Sequence, residues 1–273
     1  MKTIYVDELK HLQVEMLVLI DEFCKKNNIR YSLSSGTLIG AVRHSGYIPW
    51  DDDIDLMMLR KDYDKFVRTF NGTYQHLSVL APELNINYYA PYANVFDNRT
   101  ILYEGENGHR GINIGVKIDI FPIDSVAEDL DTYVSDMLQV QRLNHYMYVK
   151  RLNNLNSSNL SLIKLIKRYI LKVILLFVPY SYLQSKIKKI ALNPLYKESQ
   201  YVDNVVYNIY SCKYPRFYKS IMDKYSEIEF EGKEFSIIQD YDNVLSKMYG
   251  DYMQLPPEDR RTPRHNFEAY WID

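Results

Sequence analysis

The sequence predicts an α+β fold: a mixed β-sheet flanked by helices and interrupted by a basic helical insertion. Three observations carry this expectation. Apolar residues recur at helical spacing over residues 6–26, 62–70 and 130–152. Short β-rich runs stand between and after them, the clearest being the alternating run at 116–124. Acidic residues then vanish between Asp136 and Glu198, while Arg142, Lys150, Arg151, Lys164, Lys167, Arg168, Lys172, Lys186, Lys188 and Lys189 accumulate. That discontinuity divides the 273 residues into a core over 1–127, a basic helical segment over 128–191 and a C-terminal part over 192–273 that completes the site. A hydrophobic content of 47% is ample for a buried core. A formal net charge of −2 excludes a general nucleic-acid binder, which needs a clearly basic surface.

Each element follows from local pattern. Leu9, Leu12, Met16, Leu19, Ile20 and Phe23 share one face of the first helix, and Asn27-Asn28 end it. Residues 29–33 form a short strand. The small-residue turn Ser35-Gly36-Thr37 enters a short helix over 38–43, and a loop with Gly46, Pro49 and Trp50 follows. The carboxylates Asp51-Asp52-Asp53-Ile54-Asp55 then run straight into the apolar strand Leu56-Met57-Met58-Leu59. Tyr63, Phe66, Val67 and Phe70 place the next helix on the core. Residues 76–80 and 85–89 read as strands around Ala81-Pro82; 92–96 and 100–103 read as a second pair turned at Asp97-Asn98-Arg99. In that turn Arg99 is a solvent-exposed side chain or a phosphate contact. Residues 104–111 make a polar glycine-rich loop suited to a lid or acceptor site. The strand at 116–124 carries Asp119 between Ile118 and Ile120, and Asp124 reads as a turn or cap after Pro122. Asn156-Ser157-Ser158-Asn159 is a link. Residues 218–222, 228–230 and 235–237 suggest short strands around Glu231-Gly232-Lys233, and a helix over 241–249 closes at Gly250. Cys24 and Cys212 lack metal-ligand spacing and read as reduced core thiols.

The chemistry concentrates in residues 34–56. In a strand, residues two apart share a face, so Asp53 and Asp55 point the same way. Adjacent carboxylates raise each other's pKa unless a cation lies between them, and oxygen donors suit Mg²⁺ or Mn²⁺. A carboxylate within an apolar strand, such as Asp119, is costly unless it is paired or bound to metal. Backbone amides at a turn entering a helix form a cradle for phosphate, here around Gly36 and Thr37. Arg43 either holds a phosphate or favours the C-terminus of its helix. Trp50 either stacks on a base or cationic headgroup or packs its loop onto the core. There is no Ser-His-Asp set and no phosphate-binding P-loop.

Read together, SSGTLIGAVRHSGYIPWDDDIDL resembles the signature of the LicD family, relatives of fukutin within the nucleotidyltransferase-fold superfamily. Gly36-Thr37 matches the turn of that signature and Asp53-x-Asp55 its acidic strand. The run Ile118-Asp119-Ile120-Phe121-Pro122 resembles the family's later strand, and the tail YGDYMQLPP with the arginines and histidine after it, Arg260, Arg261, Arg264 and His265, resembles the family's C-terminus. The resemblance implies a nucleotidyltransferase-like sheet and a transferase that moves phosphocholine from CDP-choline to a glycan hydroxyl, releasing CMP. It implies Asp53, Asp55 and Asp119 as ligands of Mg²⁺ or Mn²⁺, and Asp119 as the base that accepts the hydroxyl proton. Gly36, Thr37, Arg43, Trp50, Arg260 and His265 would bind substrate; at most one of Asp51 and Asp52 would reach the site. The alternatives are transfer of ribitol or glycerol phosphate from a CDP donor, and an inactive binding module.

Leu160 to Val178 is strongly apolar but carries four cations, each costing about 2.5–3.5 kcal/mol at a bilayer centre. The expectation is an amphipathic helix lying in an anionic bilayer interface, set against a helical pair packed on the core with a solvated basic face. Residues 1–10 lack the apolar core of a signal peptide, so the expected location is cytoplasmic, peripheral on the inner face of the membrane, where a lipid-linked glycan acceptor would be met.

Overall fold

The computed structural model describes residues 1–85, 87–104, 114–152, 155, 161–207, 216–263 and 267–272. The expected α+β architecture is present. In chain order the elements are β1 (Thr3–Ile4), α1 (Val6–Asn27), β2 (Ser32–Leu33), α2 (Ser35–His44), β3 (Asp55–Leu59), α3 (Arg60–Thr69), β4 (Leu77–Leu80), β5 (Ala93–Asp97), β6 (Thr100–Glu104) and β7 (Lys117–Ser125). They continue with α4 (Leu130–Arg151), α5 (Leu162–Leu176), α6 (Tyr180–Ala191), β8 (Tyr201–Asp203), β9 (Phe217–Tyr218), β10 (Tyr225–Phe230), β11 (Lys233–Ile238), α7 (Tyr241–Tyr249) and β12 (Phe267–Trp271).

The central sheet runs β2-β3-β7-β5-β4, with β8 and β9 continuing from the C-terminal end of β7. Among the described residues only β3 and β7 pair in parallel, and the other pairings in this sheet are antiparallel. On one face of the two parallel strands Leu56, Met58, Ile118 and Ile120 are fully buried, while the other face carries Asp55 and Asp119. Helix α1 lies across them. Its apolar stripe buries Leu9, Leu12, Met16, Leu17 and Ile20. Asp7 and Glu8 in its first turn and Lys25 and Lys26 in its last complement the helix dipole, and Asn28 closes it in the left-handed conformation (φ 51°, ψ 49°).

Several elements differ from the sequence-based expectation. Among the described residues 85–89 there is no strand; Tyr88 instead sits fully buried with its hydroxyl on Asn94. β5 and β6 are not partners. β5 joins the central sheet, whereas β6 pairs with β12, which pairs with β1, so the two ends of the described chain close a separate three-stranded sheet. Neither end carries a strand pattern strong enough to be read alone. Arg99 binds the buried carboxylate of Asp97 through Nε and Nη2 and holds the β5–β6 corner. Asp124 is neither turn nor cap: it is an interior residue of β7, buried, and accepts two hydrogen bonds of 2.7 Å from Arg60 Nε and Nη2. Cys24 is a buried free thiol, pushed up in pKa by burial; Cys212, the loop at 105–111 and the link at 156–159 lie outside the described residues.

The hairpin β10–β11 turns at Glu231 (φ 51°) and Gly232 (φ 73°), the two successive left-handed residues that a tight hairpin requires. Glu231 also tethers the hairpin to the end of α2: its amide donates to the Ser45 carbonyl (2.9 Å), and its carboxylate accepts from the Tyr47 amide (2.9 Å).

The Arg60–Asp124 pair joins the start of α3 to the far end of β7. Asp124→Ala leaves the guanidinium half-compensated by Asp64 and Glu83, both 3.7 Å away. We expect a loss near the lower end of the range for breaking a buried pair, about 3 kcal/mol, measurable by urea unfolding; an unchanged midpoint would contradict it.

Candidate active site

The parallel pairing of β3 with β7 sets Asp55 directly beside Asp119 at the entrance of the two strands. Both side chains open into a cavity of about 1430 Å³ that also takes in Asp51, Asp52 and Asp53. One drug-sized ligand needs roughly 300–1,000 Å³, so the space suits a nucleotide donor together with part of a second substrate. The three consecutive aspartates bring a carboxylate oxygen each within 4.8 Å of one another. β3 opens only at Asp55, so Asp53 precedes the ladder rather than sharing a strand face with Asp55. It is nevertheless close. Desolvation first, then the charges of Asp53, Asp119 and Asp51, hold the Asp55 carboxyl well above the usual carboxylate range, and Lys117 only partly offsets them.

Such a cluster needs scaffolding. Thr37 is buried in α2, and its Oγ1 accepts the Asp55 amide (2.9 Å), while the Asp55 carbonyl accepts the Ser34 amide (2.9 Å). The first turn of α2 is thereby locked to the first residue of β3. The expected turn before that helix is its first turn, because α2 already begins at Ser35, which itself holds the left-handed region (φ 50°). An added Cβ at Gly36 would lie 2.4 Å from Asp51 Oδ2. The carboxylate of Asp51 therefore occupies the space beside the N-terminal turn where a phosphate cradle was expected, in the region of positive helix potential.

Asp119 is held from three sides. Asn94, its register partner on β5, donates to Oδ1; Lys117 Nζ lies 2.9 and 3.2 Å from its two oxygens; the Tyr92 hydroxyl donates to Oδ2 at 3.2 Å. Behind the aspartates, the buried amide of Gln13 on α1 donates to the carbonyls of Asp52 (3.2 Å) and Lys117 (3.1 Å) and accepts from the Tyr47 hydroxyl (2.9 Å). Gln13, Asn94 and Lys117 were not singled out from sequence. The readable signal was a glutamine within the apolar stripe of α1, which a buried face admits only when it is hydrogen-bonded.

The remaining predicted residues spread around the cavity. Arg43 lines it, and its Nη1 donates to the Tyr252 carbonyl (2.8 Å), fastening the C-terminal segment to α2. Trp50 lines it too, half-buried against the core, with the Arg261 guanidinium 6.0 Å from its ring centroid. Arg260 and Arg261 are on the rim. Both Asp51 and Asp52 reach the cavity, where at most one was expected. Thr37 lies behind the wall, and His265 and Arg264 fall outside the described residues. Beside the carboxylates stands an aromatic wall, since Tyr92 itself donates to Asp119 and Phe121 lies two residues further along the same face of β7. Tyr207 stacks on Phe121 (5.4 Å, 19°) and meets Tyr92 edge-on (4.9 Å), with Tyr89 and Tyr148 nearby. Tyr148 comes from α4, so the basic segment contributes to the cavity as well.

An all-carboxylate set, crowded enough to push Asp55 out of its ordinary range, fits a hard divalent cation. A thiol- or imidazole-preferring metal would find no such ligands among these residues.

Comparison with known proteins bears on what this arrangement does. Residues 28–165 match the family model described as LicD/FKTN/FKRP, nucleotidyltransferase domain. The chain is 31% identical over 272 residues to the lipopolysaccharide cholinephosphotransferase LicD of Haemophilus influenzae, covering 96% of this chain and 97% of that protein. It is 47% identical over 58 residues to an uncharacterized protein of Rickettsia typhi, 21% of this chain and 19% of the other. It is 30% identical over 155 residues to mannosyltransferase regulator 4 of Saccharomyces cerevisiae, 53% of this chain but 12% of that protein.

Two substitutions separate scaffold from charge. Thr37→Val keeps the shape but leaves the Asp55 amide without its acceptor, and should cost about 1–3 kcal/mol. Asp55→Asn removes one charge from the cluster, and should raise the stability of the metal-free protein by about 0.5–2 kcal/mol, as relief of a strained functional site does. Chemical unfolding in EDTA reads both; a destabilised Asp55→Asn protein would refute the repulsion described above.

Proposed function

The chain belongs to the LicD family, and from that footing we propose that it is a phosphocholine transferase that takes CDP-choline as donor and a hydroxyl of a cell-surface or lipid-linked glycan as acceptor. The observation that carries the proposal is the juxtaposition of Asp55 and Asp119, with Asp53 beside them, in a cavity whose adjoining wall is aromatic. Carboxylates suit the phosphate end of such a donor through a metal ion, and aromatic faces suit a quaternary ammonium through cation–π contact. A polyol phosphate would ask instead for a wall of polar groups, and the wall formed by Tyr92, Phe121 and Tyr207 favours choline.

In this reading Asp53, Asp55 and Asp119 would hold Mg²⁺ or Mn²⁺, with Asp51 and Asp52 adding negative charge next to them. When bound, the ion neutralises charge on the pyrophosphate and on the departing CMP. The protein's own groups do the rest. Arg260 and Arg261 at the rim would bind donor phosphate oxygens in the bidentate manner open to guanidinium. The aromatic wall orients the choline so that the phosphorus faces the acceptor. The acceptor oxygen forms a bond to that phosphorus, the bond from phosphorus to the CMP oxygen breaks, and Asp119 accepts the hydroxyl proton. Lys117 and Asn94 hold the Asp119 carboxylate in place for this transfer, and Tyr92 keeps its hydroxyl proton because burial and the charge of Asp119 push its pKa well up.

Incubation with CDP-choline, CDP-ribitol or CDP-glycerol, with Mg²⁺ or with EDTA, tests the proposal by CMP release. CDP-choline should be preferred and EDTA should abolish turnover. Asp119→Asn should lower the rate by at least about 10²-fold, the scale of a lost general base. Preference for a polyol donor would overturn the choline assignment, and EDTA-resistant release would overturn the metal-assisted route.

A further inference from the structure

Helix α5 is amphipathic in an inverted sense. A helix packed on a soluble protein turns its apolar stripe inward. α5 buries only Leu175 fully and half-buries Leu165 and Leu171. Ile163, Ile166, Ile170, Val173, Ile174 and Phe177 face outward, each between 50% and 85% exposed. At 100° per residue these six lie on one continuous face, and the cations Lys164, Lys167, Arg168 and Lys172 occupy the arc opposite and beside it. Arg168 and Lys172 are half-buried on the side toward the protein body. A contiguous outward apolar face of this kind marks a contact surface.

We propose that this face of α5 seats the protein on an anionic lipid surface. Charge decides the occupant. No acidic residue lies between Asp136 and Glu198, and α6 adds the exposed Lys186, Lys188 and Lys189, so α5 and α6 carry cations and no carboxylate, a charge that complements anionic headgroups. A second copy docked on the same face would bring two such segments together, and their like charges would oppose it. Length decides the orientation. Fifteen residues of helix reach about 22 Å, short of the roughly 30 Å hydrocarbon core. Among the described residues no helix is long and apolar enough to cross a membrane. α5 therefore lies in the interface plane, its apolar side chains toward the acyl region and its lysine and arginine stems reaching back to the phosphates.

The seat is coupled to the cavity. Lys150 on α4 donates to the Leu175 carbonyl at the C-terminal end of α5 (2.7 Å), and Gln141, Asn144 and Tyr148 on α4 line the cavity wall. A lipid surface held by α5 thus lies one helix away from the site. The inference stands independently of the transferase reading, because lipid binding requires neither donor nor metal.

Co-sedimentation of the full chain with vesicles tests it, comparing phosphatidylcholine alone with phosphatidylcholine containing phosphatidylglycerol. The protein should pellet with the anionic vesicles and much less with the neutral ones. Ile170→Asp, at an exposed position where the fold has nothing to lose, should lower the partition coefficient about tenfold or more. Lys164→Gln and Lys167→Gln should each lower it about fivefold on anionic vesicles only. Circular dichroism confirms that each variant is folded. Protein that stays in the supernatant with both vesicle types overturns the proposal. So does a dimer, seen by light scattering without lipid, that Ile170→Asp dissociates, since the face would then belong to a second copy.

Discussion

Asp55 and Asp119 stand abreast because β3 and β7 are parallel and in that one register. In a half-desolvated place this is an unfavourable arrangement of charge, and much of the surrounding structure answers it. Lys117 and Asn94 bind Asp119, the Thr37 hydroxyl receives the amide of Asp55, and Gln13 ties the loop before β3 to the backbone of β7. None of these contacts removes the repulsion. They hold the carboxylates together against it, a cost in stability of the kind that functional sites bear.

The cavity is a joint product of stretches far apart in the chain. Its acidic floor comes from β3, β7 and the loop before β3, and its aromatic wall from residues around β5, β7 and β8 and from α4. Its basic rim comes from the segment after α7. Two ties keep the late segments in position. Glu231 clasps the β10–β11 hairpin to the end of α2, and Arg43 fastens the chain near Tyr252 to the same helix. α2 is therefore a hub: its first turn meets the acidic strand, and its last turn anchors the C-terminal third.

The inverted amphipathicity of α5 has a different physical origin from the rest of the surface. Elsewhere the exposed large apolar side chains, such as Leu84, Leu195 and Met253, are scattered along the chain. On α5 six of them form one continuous uncovered face with cations beside and behind it, an arrangement that water disfavours and an acyl-phosphate boundary favours. With α5 fastened to α4, and α4 forming cavity wall, the molecule pairs the acidic cavity with an adjacent apolar, cation-flanked face.

Much was legible in the sequence because local pattern is sufficient for it. The 3.6-residue periodicity of α1 and α4, the alternation around Asp119, the end of α1 at Asn27-Asn28 and the acidic run entering an apolar strand depend on neighbours in the chain. So does the family signature over residues 34–56. Other features depend on partners distant in sequence. Asp124 reads as a turn residue until Arg60 is brought against it. Residues 100–103 read as half of a hairpin until β12 arrives from the far end of the chain. Gln13 reads as one polar residue on a helix until two carbonyls converge on its amide. The position of Asp51 against Gly36 and the outward turn of the apolar face of α5 are likewise set by packing. Side-chain type and spacing thus determined which groups carry the chemistry. Only the tertiary structure decided which of them meet, because strand register and helix rotation are fixed by contacts that no local stretch contains.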